Sequence, residues 1–209
     1  MNRFFVLNCL IAVISVSLVS CGGGSKSGLK KNEFFGSLPA IHADLKLAEA
    51  ELQAKAEKAL TAGNIKEAMK LEEESKKIEA KFEADVKAEL AKTAGKDIPF
   101  SFANAAEFDK LPYSIVSIKT SGEQVGQITV TFLAKEELRS GRYSGLFNVN
   151  GAEYPSELPY KALAKDGSLI DDGSIFLMPT QKGESNEIKS GLSLRLYPEK
   201  WVDFASLEF

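Results

Sequence analysis

The chain has 209 residues and a formal net charge of −3. Residues 30–97 carry 13 basic and 14 acidic side chains, and residues 98–209 carry 11 basic and 15 acidic ones. Neither half has the basic excess that neutralises phosphates, so the composition argues against a nucleic-acid partner. Both cysteines, Cys9 and Cys21, lie near the N-terminus, so the rest of the chain must be stabilised by ordinary packing in one or two domains.

The first 21 residues have the pattern of a signal peptide. Arg3 precedes an apolar run over residues 4–19, and small residues follow it. Residues 18–22, Leu-Val-Ser-Cys-Gly, resemble the lipobox of bacterial lipoproteins. The resemblance implies that residues 1–20 are a lipoprotein signal peptide that is removed. It also implies that Cys21 is the lipidation site and the first residue of the mature chain.

Two other interpretations of this segment stay open. One is a permanent membrane span, although the run falls short of the roughly 20 predominantly apolar residues that a spanning helix needs. The other is a cleaved secretory signal without lipid, because residues 19–21 are all small. The lipidated interpretation is favoured because Cys21 lies at the boundary and Gly/Ser-rich sequence follows directly.

Residues 21–32 are predicted to form a flexible Gly/Ser/Lys tether between the lipid and the folded body. The lipid chains would supply membrane attachment at about 0.8 kcal/mol per buried methylene. In the sorting rules of the lipoprotein family, Gly22 rather than Asp after the cysteine implies the outer membrane. We therefore expect a location in the cell envelope, with the membrane as a partner through the N-terminal lipid.

Residues 33–95 are predicted to form an antiparallel helical hairpin. Ala, Lys, Glu and Asp dominate this stretch, and their summed helix propensity is high. Gly63 is placed to end a first helix over residues 38–62. Asn64 then caps a second helix over residues 64–93, with Glu67 completing a capping-box-like pattern. Pro39 suits the first turn of the first helix.

Each predicted helix has one narrow apolar stripe at steps of three and four residues, which favours a two-helix hairpin. The stripe residues are Ile41, Leu45, Ala48, Leu52, Ala56 and Ala59 in the first helix, and Leu71, Ile78, Phe82, Val86 and Leu90 in the second.

Residues 96–209 switch to the alternating pattern of half-buried strands, most clearly at Ile128, Val130 and Phe132. Turn dipeptides such as Asp166-Gly167 and Asp172-Gly173 separate the strands. We predict an α+β chain in which the hairpin is followed by an all-β, immunoglobulin-like antiparallel sandwich. The predicted strands cover residues 98–103, 113–120, 126–134, 143–149, 158–164, 174–178, 192–197 and 202–209.

The sequence offers little catalytic chemistry. His42 is the one histidine, and no other histidine or cysteine lies within ligand spacing of it. Residues 166–174 contain carboxylates and glycines but lack the spacing of a calcium loop, so two turns explain them better. Paired carboxylates remain open, although we expect the acidic residues of the β half to lie in water at turns or strand ends. We therefore predict no catalytic, cofactor-binding or metal-binding residue.

The sequence thus indicates a membrane-anchored, exported lipoprotein of a non-catalytic binding or structural type, with a protein or glycan as a further candidate partner. One alternative is a glycan- or ligand-binding module that uses Tyr197 and Trp201, which predicts an exposed apolar patch around Trp201. A carboxylate-based hydrolase is the other. The break near Gly95 also predicts that the β half folds without the hairpin.

Overall fold

The computed structural model describes residues 31–143, 145–179, 186–194 and 198–209. The predicted signal peptide, Cys21 and most of the predicted tether lie outside these residues. Tyr197 lies outside them as well.

Two long helices follow one another as predicted. Helix α1 covers Leu38–Thr61 and helix α2 covers Ile65–Thr93. Between them Gly63 has a positive φ of 69°, and the Asn64 side chain accepts a hydrogen bond of 3.2 Å from the Glu67 backbone N–H. The predicted end of the first helix and the predicted start of the second therefore agree with the structure to within one residue.

The half of the hairpin around the Gly63 turn, which we call the far half, has its own small hydrophobic cluster. Leu52, Ala59 and Leu71 are its buried members, with Ala56, Ala68 and Ile78 packed against them. Every member except Ala68 lies on a predicted stripe, and Ala68 is three residues before Leu71 of the second stripe. Because this cluster contains residues of the two helices alone, the far half is held together by the contact between them.

The rest of the described chain consists mainly of short strands. The strands are β1 (Phe100–Ser101), β2 (Tyr113–Thr120), β3 (Gln127–Ala134), β4 (Arg139–Ser140), β5 (Leu146–Val149), β6 (Ala152–Pro155), β7 (Glu157–Ala164), β8 (Leu169–Phe176), β9 (Glu187–Ser193) and β10 (Phe204–Glu208). A four-residue helix, α3 (Ala105–Phe108), lies between β1 and β2, and a 3₁₀ helix (Pro198–Asp203) precedes β10.

The described strands form three sheets, in the orders β1-β10-β7-β8, β2-β3-β9 and β4-β5-β6. Each pairing is antiparallel except β1 with β10, which is parallel. Just before β1, the Ile98 N–H donates to Ile118 O of β2 at 2.8 Å, and Asp97 forms an antiparallel bridge with Lys119. The segment over residues 96–101 thus passes from the edge of one sheet to the edge of another. The chain is α+β, with a helical hairpin followed by mostly antiparallel sheets.

The predicted turn at Asp172-Gly173 is wrong. Both residues lie inside strand β8, where Gly173 is the register partner of Tyr160 on β7. A Cβ on Gly173 would lie 3.0 Å from the Tyr160 hydroxyl oxygen. The glycine therefore makes room for an aromatic ring on the neighbouring strand, which is a common use of glycine within strands.

One hydrophobic cluster connects the sheets with the start of the hairpin. It contains Ile128, Val130 and Phe132 of β3 and Leu158, Tyr160 and Ala162 of β7, which alternate inward as the period-two pattern predicts. The same cluster includes Phe34, Phe35 and Leu38 from the N-terminal side of the hairpin. Val86 and Leu90 near the end of α2 pack against it. The β half and the near end of the hairpin therefore share buried surface.

Candidate functional site

The near end of the hairpin is joined to the β half by a cluster of polar and aromatic contacts. We call this region the hairpin base and define it as residues 32–38 and 86–96. Its central residue is Asn32, the last residue of the predicted tether, which is 4% exposed. The Asn32 Nδ2 donates to the carbonyl oxygens of Val202 and Phe204 at 3.1 and 2.9 Å.

The carbonyl oxygen of the Asn32 carboxamide stabilises a turn of the backbone that follows it. Its Oδ1 accepts from the backbone N–H groups of Phe34 and Phe35 at 2.8 and 3.0 Å. This is the local turn that asparagine side chains favour. One buried amide thus fixes the turn and also ties it to β10, about 170 residues later in the chain.

The turn directs two phenylalanine rings into the core. Phe35 lies with its ring centroid 5.2 Å from that of Trp201 and 5.3 Å from that of Phe204. Phe34 contacts Phe204 edge-on at 5.7 Å. Aromatic pairs at these distances contribute about 0.5–1.5 kcal/mol each beyond the area they bury. The hairpin base is therefore anchored by aromatic packing as well as by Asn32.

A buried carboxylate connects α2 to the start of α1. The Glu89 Oε1 accepts from the Ser37 backbone N–H at 2.8 Å, and its Oε2 accepts from Lys92 Nζ at 3.1 Å. Burial acts to raise the pKa of Glu89, but the hydrogen bonds from Ser37 and Lys92 outweigh it and lower the pKa below its ordinary value. Glu89 therefore acts as an ionised cap on the first turn of α1.

The C-terminal end of α2 is tied to β2. Thr120 Oγ1 donates to the carbonyl oxygen of Thr93, and the Gly95 N–H donates to Thr120 O at 2.9 Å. Lys96 Nζ reaches back to Glu33 O at 2.7 Å. Both segments of the hairpin base are therefore hydrogen-bonded to the β half. These bonds hold the start of α1 and the end of α2 in place.

The other end of the hairpin, which we call the hairpin tip and define as residues 55–70, exposes apolar side chains. Leu60 is 45% exposed, Ile65 is 71% exposed and Met69 is 64% exposed. Ile65 and Met69 are four residues apart on α2 and so lie on one face. A shallow surface depression lined by Ala54, Glu57, Lys58, Thr61 and Ala62 lies at the end of α1 and the start of the turn.

The exposed apolar patch around Trp201 that the glycan-binding alternative requires is not found among the described residues. Trp201 is 1% exposed and packs against Phe35. It also approaches Gly126 so closely that a Cβ there would lie 2.5 Å from Trp201 Cη2. The Trp201 ring is therefore a core residue and presents no face on which a sugar could stack.

His42 and Tyr113 have structural contacts. The His42 ring meets Phe82 of the facing helix edge-on, with centroids 4.9 Å apart. Tyr113 is fully buried beside Phe108 and Phe132, and burial raises the pKa of its phenol to about 12. Tyr113 is thus protonated near neutral pH and serves the core.

The acidic residues of the segment 166–174 divide between a turn and a strand. Asp166 accepts from Ser168 Oγ at 2.7 Å and from its N–H at 2.9 Å, and these bonds lower the pKa of the Asp166 carboxyl. The expectation that Asp171 lies in water is wrong, because Asp171 is buried within β8. Asp172 beside it is exposed. Successive strand residues point to opposite faces, so these two carboxylates do not converge.

In the part of the chain that the structure covers, no group of three or more His, Cys, Asp or Glu residues is arranged to hold a metal ion. Within the same residues, no helix combines the length and the apolar character that crossing a bilayer requires. Comparisons with models of known protein families, with curated protein sequences and with solved structures gave no match.

Asn32 and Glu89, which organise the hairpin base, were not predicted from the sequence. A signal for Asn32 was present, since an asparagine four residues before Gly36 suits a local turn. Glu89 had no such signal, because one acidic residue among the many on α2 looks like part of a solvated helix face.

Proposed function

We propose that this protein is an exported lipoprotein, anchored in the outer membrane through acylated Cys21, which carries a helical hairpin for a non-catalytic binding or structural role. The anchoring part rests on the lipobox-like residues 18–22 and on the Gly/Ser-rich sequence after them. Asn32 is the eleventh residue after Cys21, and a chain of that length spans at most about 40 Å. The hairpin base would then stay within that distance of the membrane.

The proposed binding role rests on a difference between the two ends of the hairpin. The base shares the core of the β half, whereas the far half has a cluster of its own and an exposed apolar tip. Helix α1 has 24 residues, so its last residue, within the tip, lies about 36 Å along the helix axis from its start at the base. Such an arrangement presents a small surface at a distance from the body.

The non-catalytic part of the proposal is supported by the roles of the reactive side chains. His42 packs on Phe82, Tyr113 fills the core, and Glu89 caps α1. General acid–base catalysis needs such groups within reach of a substrate. In this protein the contacts of these three side chains stabilise the fold.

We also propose that the four-stranded sheet and the β2-β3-β9 sheet pack face to face as an immunoglobulin-like sandwich. The inward residues of β3 and β7 belong to one cluster, and residues 96–101 pass between the edges of both sheets. Strands that change sheets in this way form the corners of sandwiches.

Replacing Cys21 by Ala tests the anchor. The Cys21→Ala protein should move from the membrane fraction to the soluble fraction and lose labelling by a fatty-acid probe. The matched control is Cys9→Ala, which removes the other cysteine of the chain and should leave both properties unchanged. A Cys21→Ala protein that stays in the membrane would contradict the proposal and favour a spanning N-terminal segment.

A further inference from the structure

The hairpin tip combines exposed apolar residues with a local positive charge. Residues 55–70 contain four lysines and two glutamates, a net charge of +2. The remainder of the two helices, residues 38–54 and 71–93, contains six lysines against ten acidic residues, a net charge of −4. The basic end of the hairpin is thus the end that exposes Leu60, Ile65 and Met69.

The lysines lie beside the apolar residues. Lys58 precedes Leu60 on α1, and Lys66 and Lys70 each follow an exposed apolar residue of α2 directly. Lys70 has an ion pair of 3.9 Å with Glu67, and its side chain remains 77% exposed. Long lysine side chains can keep their charge at a membrane surface while apolar neighbours enter the bilayer.

We propose that the hairpin tip binds the surface of a lipid bilayer that carries anionic headgroups. Apolar side chains with flanking lysines are the composition by which helices lie in a membrane interface. Each lysine close to an anionic surface adds attraction that falls off within a Debye length. Met69 is the fifth residue of α2, so it lies about 6 Å along the axis from the start of that helix. That extent matches the roughly 5–10 Å by which interfacial segments enter the bilayer.

The inference extends the proposed function, since an anchored protein with such a tip would contact a bilayer at two places. It does not depend on lipidation of Cys21. A test that removes both native cysteines therefore separates this inference from the proposed anchor, which the Cys21→Ala fractionation decides.

The experiment places an environment-sensitive fluorophore at the tip. Ala62→Cys in the full chain with Cys9→Ser and Cys21→Ser provides one attachment point, and Ala80→Cys provides a matched point on the exposed side of α2 away from the tip. Each labelled protein is mixed with phosphatidylcholine vesicles, with or without phosphatidylglycerol. We expect the emission at position 62 to rise and shift to shorter wavelength with the anionic vesicles alone, and the label at position 80 to stay unchanged.

The same fluorescence measurement is then made on variants of the hairpin tip. Ile65→Ser and Met69→Ser should each lower the equilibrium constant for tip insertion about tenfold, because each removes much of an apolar side chain from the interface. Lys66→Gln should lower it about fivefold, in line with the attraction of one lysine to an anionic surface. Leu47→Ser is the control, since Leu47 is an exposed leucine on α1 outside the tip, and it should have no effect.

Three results would overturn the inference. The first is a label at position 62 that does not respond to anionic vesicles. The second is an equal response to neutral and anionic vesicles. The third is a response that Ile65→Ser and Met69→Ser leave intact, because the signal would then come from the N-terminal segment or from a protein contact.

Discussion

Replacing Asn32 by Ala should destabilise the whole protein, although the sequence predicts Asn32 to be the last residue of a flexible tether. Its side chain makes four hydrogen bonds, two to Val202 and Phe204 carbonyls and two from Phe34 and Phe35 N–H groups. Each contributes about 1 kcal/mol net, and their buried partners would be left without a bond. Because water can reach the partly buried Val202 carbonyl, we expect a loss of about 3–4 kcal/mol rather than more.

The assay is equilibrium unfolding in urea of the chain from residue 22 onward, which retains every described residue. Trp201 is the one tryptophan and packs on Phe35, so its fluorescence reports on the hairpin base. The control is Asn104→Ala, which removes one hydrogen bond of 3.3 Å at the exposed N-cap of α3. We expect that variant to lose about 1 kcal/mol or less.

Equal losses for Asn32→Ala and Asn104→Ala would refute the reasoning. They would mean that the turn at residues 32–36 is not part of the cooperative structure. The slope of the unfolding free energy with urea should also agree among the three proteins, because a changed slope would point to an altered unfolded state.

Three further predictions concern the hairpin base and the core. Gly126→Ala should lose about 1–3 kcal/mol more stability than Gly145→Ala in the same urea assay, because both glycines have positive φ but only Gly126 faces a ring, that of Trp201. Glu89→Gln should remove a stabilisation that is complete above pH 4.5, the ordinary pKa of a glutamate, and that fades in the parent as pH falls through the lowered pKa of folded Glu89. A difference between parent and variant that grew with acidity would contradict this. The sequence predicts that a chain beginning at Gly95 folds alone, but that chain lacks Asn32 and the buried Phe34, Phe35 and Leu38 of the shared core, so we expect it to unfold at a much lower urea concentration than the parent. A cooperative transition at the parent's midpoint, with strand-type circular dichroism, would contradict the shared core.

The helical hairpin could be predicted because its signals are local. Gly63, Asn64 and Glu67 lie within five residues and act on one another, and the apolar stripes need no information from elsewhere in the chain. Strands β3 and β7 could likewise be predicted, because the alternation of inward apolar residues is a property of each strand alone.

The hairpin base could not be predicted, because its contacts join distant parts of the sequence. Asn32 bonds to Phe204, and Ser37 bonds to Glu89, so neither residue shows its role in its own neighbourhood. The packing of Trp201 could not be predicted for the same reason. The space for its ring exists because Gly126, 75 residues earlier, has no side chain.

The most direct measurement of the central proposal is the mass of the N-terminal peptide of the protein purified from membranes. The account predicts that residues 1–20 are absent and that the peptide begins at Cys21 with a diacylglyceryl group on its sulfur. A peptide that still contains residues before Cys21, or that begins at Cys21 or Gly22 without lipid, would contradict it.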